Sequence, residues 1–318
     1  MQITLLGHDR PVPVEGGDTI LASLLRAGVP FPFSCQAGNC GTCKCELVSG
    51  DVLELEYSEH ALSAEERAKG VILACRTQVW DDTVVRRIDA EELVMHPSRV
   101  LRCRVVALED LAPQIRALRL AIEAGGPFHF SAGQYAEVEF SPGASRHYSM
   151  ANTPDESELV FHVRHLPGGR TSTHVATRLR VGERVKVSGP LGVSYLRDSH
   201  AGPVLLVAAA SGLAPMESIL RTLLARGYEA PVMLHFFGQA YHEQLLRDLA
   251  GRHANVRYWI HAEDANVGEA LTAGLGDTAD LMVYLAGTPA IIEGATTALA
   301  ARGVPQGRMH ADAFYDQA

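Results

Sequence analysis

No apolar stretch in this sequence is long enough to cross a bilayer; "VLLVAAA" (204–210) has the length of a strand. The opening residues, "MQITLLGHDR", lack a basic segment followed by a long apolar core, so no secretory signal is expected and the expected location is cytoplasmic. Basic side chains are in the minority. Twenty-eight Lys and Arg against 37 Asp and Glu leave a net charge of −9, which argues against a general nucleic-acid binder. Internal repeats and low-complexity tracts are missing. Cysteine is scarce, six in 318 residues, yet four of the six fall within the eleven residues "CQAGNCGTCKC" (35–45). In a reducing compartment such a cluster points to ligands or catalysts rather than disulfides. The remaining composition, 47% apolar and 20% charged, is that of a globular protein, and the length suffices for two or three domains.

Charge and texture divide the chain. Residues 1–95 hold 15 acidic and 8 basic side chains, net −7, while the remaining 223 residues are nearly balanced at net −2. The acidic first third is either a solvated face or a docking surface for a basic partner. Within it, residues 2–6 and 45–55 read as strands and "DTILASLLRAG" (18–28) as a short helix stopped by Gly28. These form a small α+β unit over 1–95, with the cysteines in the loop after its helix, followed by a linker "HPSR" (96–99). The segment 98–199 is rich in strands separated by Gly/Pro turns, the texture of a small antiparallel β-barrel. From 200 to 318, buried-type strands such as "PVLLVAAA" and "DLMVYLAG" alternate with helical stretches at 215–226 and 289–302, the pattern of an α/β parallel sheet. The expectation is three domains: 1–95, 98–199 and 200–318.

Cys35, Cys40 and Cys43 are spaced C-x4-C-x2-C, and Cys75 in "LACR" follows with 31 residues between. This is the plant-type spacing for a [2Fe–2S] cluster held by four thiolates. Gly38 and Gly41 suit a tight loop whose amides face the sulfurs and tune their potential. A zinc site would more naturally show two C-x2-C pairs. Cys45 and Cys103 lie outside the spacing and read as buried free thiols.

Two further stretches carry chemistry. In "RHYS" (146–149), Arg146 and Tyr148 share one face of a strand and Ser149 the other. An Arg fork suits a pyrophosphate, a tyrosine can stack on an isoalloxazine ring, and a hydroxyl can hydrogen-bond that ring. "GGRTS" (168–172) offers amides and hydroxyls at a helix start, a natural phosphate seat. "LLVAAASGLAPMES" (205–218) reads as strand, small-residue turn and helix start, with Pro215 near the first turn. It is not G-x-G-x-x-G, so the usual dinucleotide fingerprint is absent.

Taken with "SCQAGNCGTCKCELVSGDV", "LACR", "HPSRV", "SAGQYAEVEFSPGASRHYSMANTP", "FHVRHLPGGRTS", "GPLG" and "HADAFY", nearly the whole chain resembles the reductase components of bacterial ring-hydroxylating dioxygenases, of the naphthalene-dioxygenase type. The resemblance implies a plant-type ferredoxin (β-grasp) domain fused to a ferredoxin–NAD(P)+ reductase-like module. It implies Cys35, Cys40, Cys43 and Cys75 as cluster ligands. It implies FAD held by Arg146, Tyr148, Ser149, Val163, Gly169, Thr171 and Ser172, the order ferredoxin–flavin–nucleotide favouring FAD over FMN. It implies a nucleotide seat at Ser211, Gly212, Ala214, Pro215 and Gly287. Tyr148, Ser149 and Phe314 would stand at the reacting face of the flavin, with Phe314 either covering the ring or plugging a strand end.

Three departures stand out. Where the related reductases carry G-G-x-G-x-A-P, this chain has Ala209, Ala210, Ser211, Gly212, Leu213, Ala214 and Pro215, so two glycines are alanines, and each methyl could crowd a dinucleotide or demand a different φ. Ala286 replaces the family's cysteine before Gly287. Ala240 replaces an arginine, which leaves a 2′-phosphate without a partner before Arg247 and favours NADH. No pair among the fourteen histidines shows metal-ligand spacing with a carboxylate, so no mononuclear metal site is expected. The expected activity is transfer of electrons from NADH through FAD and [2Fe–2S] to a Rieske-type oxygenase or a separate ferredoxin, in aromatic hydrocarbon catabolism, with no nucleic-acid or membrane partner. Two alternatives stay open: a reductase for a diiron monooxygenase or a sugar-deoxygenating enzyme, and a redox carrier or sensor whose nucleotide site has degenerated.

Overall fold

The computed structural model describes residues 1–33, 36–38, 41–59, 61–88, 94, 96–239 and 241–314. By chain contacts it comprises two compact units, Met1–Met95 and His96–Ala318.

In the first unit, β1 (Gln2–Leu5) and β2 (Val12–Pro13) lead into α1 (Ile20–Arg26). Thr19 caps α1 by accepting a hydrogen bond from the Ala22 amide, and the helix ends just before Gly28. Then follow β3 (Lys44–Ser49), β4 (Val52–Glu54), α2 (Ala64–Ala68), β5 (Val71–Leu73), β6 (Thr77–Val79) and β7 (Thr83–Arg87). The main sheet has the order β2-β1-β7-β3-β5, with β1 and β7 parallel and the other pairs antiparallel. Ile20, Leu21 and Leu24 of α1 are buried with Ile3, Leu5 and Phe31, because an amphipathic helix this short holds only through its packed face.

The second unit opens on β8 (Arg99–Ala112) and β9 (Ile115–Ala124), followed by β10 (Tyr135–Ser141), β11 (Ala144–Ser149), β12 (Glu158–Arg164), α3 (Arg170–Thr177) and β13 (Arg184–Leu191). These six strands form one antiparallel sheet in the order β11-β10-β13-β8-β9-β12. A bridge between Met150 and Phe161 brings its two edges together, so the sheet curls into the expected barrel-like form. The chain continues through β14 (Val204–Ala209), α4 (Leu213–Ala225), β15 (Val232–Phe237), α5 (Glu243–Arg252), β16 (Val256–His261), α6 (Val267–Thr272), β17 (Met282–Gly287), α7 (Pro289–Ala301) and β18 (Met309–Ala313). Here every pair is parallel, in the order β16-β15-β14-β17-β18. The connections reverse direction between β14 and β17, and sheets of this kind bind ligands in the crevice at that switch.

All six residues of β14 are buried, as a central strand covered on both faces requires. The two sheets of this unit share a core. Ile115, Ala132 and Leu196 pack in one cluster with Val204, Leu206 and Ile219, and the Ser218 hydroxyl donates to the Asn152 carbonyl at 2.6 Å. Leu206→Ala in a Trp80→Phe background should lower the stability of this unit by about 2–5 kcal/mol. Trp259 is then the sole tryptophan, and its emission during denaturant unfolding reads the loss.

Candidate functional site

Cys43 and Cys75 are both buried in the first unit, Cys43 just ahead of β3 and Cys75 in the short 3₁₀ turn Ala74–Arg76. The Cys75 amide donates toward Cys43 Sγ at 3.5 Å, so the late cysteine is folded back onto the loop. Cys35 and Cys40 lie outside the described residues. The described part of the loop ahead of Cys43 is tightly packed at Gly41. Gly41 has φ +71°, and a Cβ there would lie 2.7 Å from the Ala61 carbonyl oxygen. Gln36 also takes a left-handed φ, of +54°. Cys75 closing on Cys43, beside a loop with no room for a side chain at Gly38 or Gly41, fits a cluster whose ligands must converge. Cys45 and Cys103 are fully buried, and burial pushes each thiol up to about 12, so both stay protonated.

In the barrel, β11 pairs with β10, setting Tyr148 opposite Ala136 and Ser149 opposite Tyr135. Arg146 and Tyr148 are half-buried and Ser149 is buried. The Tyr148 ring stands edge-on to Phe140 and Phe161, forming a fixed aromatic shelf, and burial raises its hydroxyl above the usual tyrosine range. Val163, from the neighbouring edge strand β12, lies inside the barrel core. Gly169 is the N-cap of α3 and offers no side chain to the first-turn amides, which are left for an anion. The Ser172 hydroxyl accepts from the Leu166 amide at 3.1 Å and so faces into its own loop; what Ser172 presents at the helix start is its backbone N–H. Thr171 is buried beside it. His174 Nε2, on the same helix, is buried with no partner among the described residues, and its ring lies 6.1 Å from that of Phe140. An unpartnered ring nitrogen on α3, the Tyr148 shelf and the bare α3 N-terminus together fit a polar, flat ligand. A separate cleft of about 560 Å³ takes in Val163 and Ser172 but none of Arg146, Tyr148, Ser149, Gly169 or Thr171, so these residues do not converge on it.

At the end of β14 the chain makes a 3₁₀ turn, Ala210–Gly212, into α4. The two alanines found in place of glycines behave differently. Ala209 is extended, with φ −134°, whereas Ala210 is left-handed, with φ +49°. A Cβ on Gly212 would overlap the Ala286 carbonyl, and one on Gly287 would lie 2.7 Å from the Cβ of Ala209. Ser211 is half-buried beside them. Ala214 packs against Ala151 and Val160 of the barrel, and Pro215 is buried in the first turn of α4. β12 lies alongside the 210–212 turn, so the strand bearing Val163 and the nucleotide turn are neighbours. The Phe314 amide donates to the Gly287 carbonyl at 2.8 Å, which sets Phe314 at the crevice, where it packs on the core of the parallel sheet. Arg247 is committed to Glu243 at 2.8 Å, and Ala240 lies outside the described residues.

Residues 3–79 match the family described as the 2Fe-2S iron–sulfur cluster binding domain, and residues 102–195 match the oxidoreductase FAD-binding domain. The chain is 35% identical to the ferredoxin–NAD(P)+ reductase component of the naphthalene 1,2-dioxygenase system of Pseudomonas putida, over 99% of each chain. The chain belongs to the oxygenase-reductase family. It is also 35% identical to the reductase component of phenol 2-monooxygenase from Pseudomonas sp. strain CF600, over 93% of this chain and 89% of that one. The crystal structure of an Amycolatopsis cytochrome P450 reductase superposes with a TM-score of 0.79 at 34% identity, covering 98% of both chains. This oxygenase reductase is thus an oxidoreductase with a [2Fe–2S]-binding domain, an FAD-binding domain and a parallel-sheet nucleotide domain. Among the described residues, no helix is long and apolar enough to cross a membrane.

One cluster escaped the sequence reading. His162, Glu217 and His242 come together from β12, α4 and the loop after β15, although 55 and 25 positions separate them. Linear spacing therefore shows no pairing of histidine with carboxylate, and only the packing of α4 against the barrel creates it. Burial pushes His162 down to about 4, so its ring is uncharged at neutral pH.

The turn makes two predictions. Ala210→Gly should stabilise the fold by about 0.5–1 kcal/mol, the relief of left-handed strain outweighing the added unfolded-state entropy, and should tighten NADH binding in a flavin-quenching titration. Gly212→Ala should abolish NADH reduction of the flavin by pushing the turn off β17, while the [2Fe–2S] absorbance persists.

Proposed function

We propose that this reductase takes electrons from NADH and passes them through FAD and the [2Fe–2S] cluster to a Rieske-type aromatic-ring-hydroxylating oxygenase or to a separate ferredoxin serving one. The observation that carries this reading is the pair of cofactor-binding domains on one chain, with the flavin strand β12 beside the turn that ends β14. A flavin accepts the two electrons of a hydride together and releases them singly, the form a [2Fe–2S] cluster takes.

In this reading Cys35, Cys40, Cys43 and Cys75 hold the cluster, within a ferredoxin domain of residues 1–95. Over 98–199, Arg146 and the first turn of α3 hold the FAD phosphates, with Gly169, Thr171 and Ser172 supplying the cradle. Tyr148 supports the ring, Ser149 hydrogen-bonds it, and Val163 lines its edge. Over 200–318, Ser211, Gly212, Ala214, Pro215 and Gly287 form the seat of the dinucleotide, and Phe314 guards the crevice. Arg247, engaged by Glu243, leaves NADH the preferred donor over NADPH. The setting is cytoplasmic aromatic hydrocarbon catabolism.

The named relatives favour a second reading of the acceptor alone. Reductases of a phenol monooxygenase and of a cytochrome P450 share this architecture, so a different terminal oxygenase is compatible with the same electron path. A carrier or sensor lacking nucleotide chemistry is favoured by Ala210 alone.

Anaerobic titration with NADH, with NADPH as control, should bleach the flavin and produce the EPR signal of a reduced [2Fe–2S] cluster. A protein that stays oxidised with both cofactors present would move the reading to the carrier. Cys43→Ser should remove the cluster signal while NADH still reduces the flavin. Loss of both with the fold intact would mean that the modules are not separable.

A further inference from the structure

We propose that His162, Glu217 and His242 form a zinc site that ties the flavin-binding barrel to the nucleotide-binding helices. One ligand atom from each residue lies within 4.8 Å of the others. His162 projects from β12 into the boundary between the two sheets of the second unit and is only 3% exposed. Its Nε2 is buried with no partner among the described residues, a cost of about 1–3 kcal/mol that a fold does not keep without cause. Its Nδ1 lies 3.3 Å from the Tyr241 hydroxyl. With metal on Nε2, Nδ1–H donates to that oxygen, the outer contact that metal-bound imidazoles habitually make.

Glu217 lies on α4, its side chain 5% exposed, with Oε2 at 2.9 Å from His242 Nδ1. Arg221 is 3.6 Å from the other carboxylate oxygen, yet it is also paired with Glu156. The two carboxylates and one guanidinium leave a negative charge to meet a cation. His242 holds its ring there from a left-handed backbone, φ +54°. It is one of three non-glycine residues in that region among the described residues; Ala210 lies in the nucleotide turn and Gln36 in the cysteine loop.

Two imidazoles and one carboxylate are the donor set of three-ligand zinc sites, in which water takes the fourth position. Tetrahedral bonds would place the donors ~3.3 Å apart, closer than the 4.8 Å within which they now lie. A metal-bound His242 is neutral, with Nδ1 bare and its one proton on Nε2, so the hydrogen bond to Glu217 Oε2 gives way to the two metal bonds. Zinc has no accessible second oxidation state, so it stays outside the electron path and acts as a clamp between two halves of one unit.

The test uses the purified holoprotein, with FAD and cluster bound, stripped with a chelator, exchanged into buffered zinc and desalted. The expected result is one zinc per chain by mass spectrometry, with a zinc-edge X-ray absorption spectrum showing nitrogen and oxygen neighbours without sulfur. The sulfur-free shell separates this site from zinc held at the cysteines. His162→Ala and His242→Ala, each retaining the flavin and cluster spectra, should lower zinc affinity at least about tenfold. Zinc should raise the melting temperature of the unsubstituted protein and not of these variants. Because His162 is buried, half-buried His242 decides the matter if the first variant fails to fold. Zinc content unchanged in His242→Ala, sulfur in the coordination shell, or no retained zinc in the unsubstituted protein would each overturn the proposal.

Discussion

At the C-terminal ends of β14 and β17 the chain segments approach until neither Gly212 nor Gly287 has room for a side chain. Gly212 abuts the Ala286 carbonyl, and Gly287 faces the methyl of Ala209. That approach fixes where α4 begins, and α4 in turn carries Ser218 to Asn152, Arg221 to Glu156 and Ala214 to Val160. Open the gap, and the helix that joins barrel to sheet loses its anchor. The nucleotide crevice, the boundary with the barrel and the His162–Glu217–His242 cluster are therefore consequences of one close passage. The same passage explains why the strand before the turn is wholly apolar, since polar groups there would have no partner on either face.

The parts of this molecule legible in sequence are those whose chemistry is local. Four cysteines stand at the intervals of a plant-type [2Fe–2S] cluster, a pattern that depends on the spacing alone and not on what surrounds it. The parallel sheet is legible from buried runs alternating with helices, although α4 begins at Leu213 rather than at 215, because the turn ahead of it occupies only three residues. The flavin face is harder. Arg146, Tyr148 and Ser149 make a short pattern whose meaning comes from resemblance, and the Phe140 and Phe161 rings that brace Tyr148 come from other strands.

What sequence does not separate, backbone conformation does. Ala209 and Ala210 look equivalent on paper, yet only Ala210 is forced into a left-handed turn, while the Ala209 methyl occupies the space that Gly287 leaves. The histidine–glutamate cluster is illegible for a simpler reason. Its members meet only after a strand of one sheet and a helix of the other have docked, and no local rule links positions 55 and 25 residues apart.

The crevice is also completed late in the chain. Its floor, β14, is laid down midway through the second unit, after the six strands of the barrel, but the strand that flanks β17 is β18, and the amide that caps the Gly287 carbonyl belongs to Phe314. A ribosome that has already delivered β14 and β17 has therefore not yet delivered the residues that finish the pocket. The first unit, whose strands all pair among themselves, has no such wait. During synthesis, then, every strand of the first unit has its partners before β18 has emerged to complete the parallel sheet.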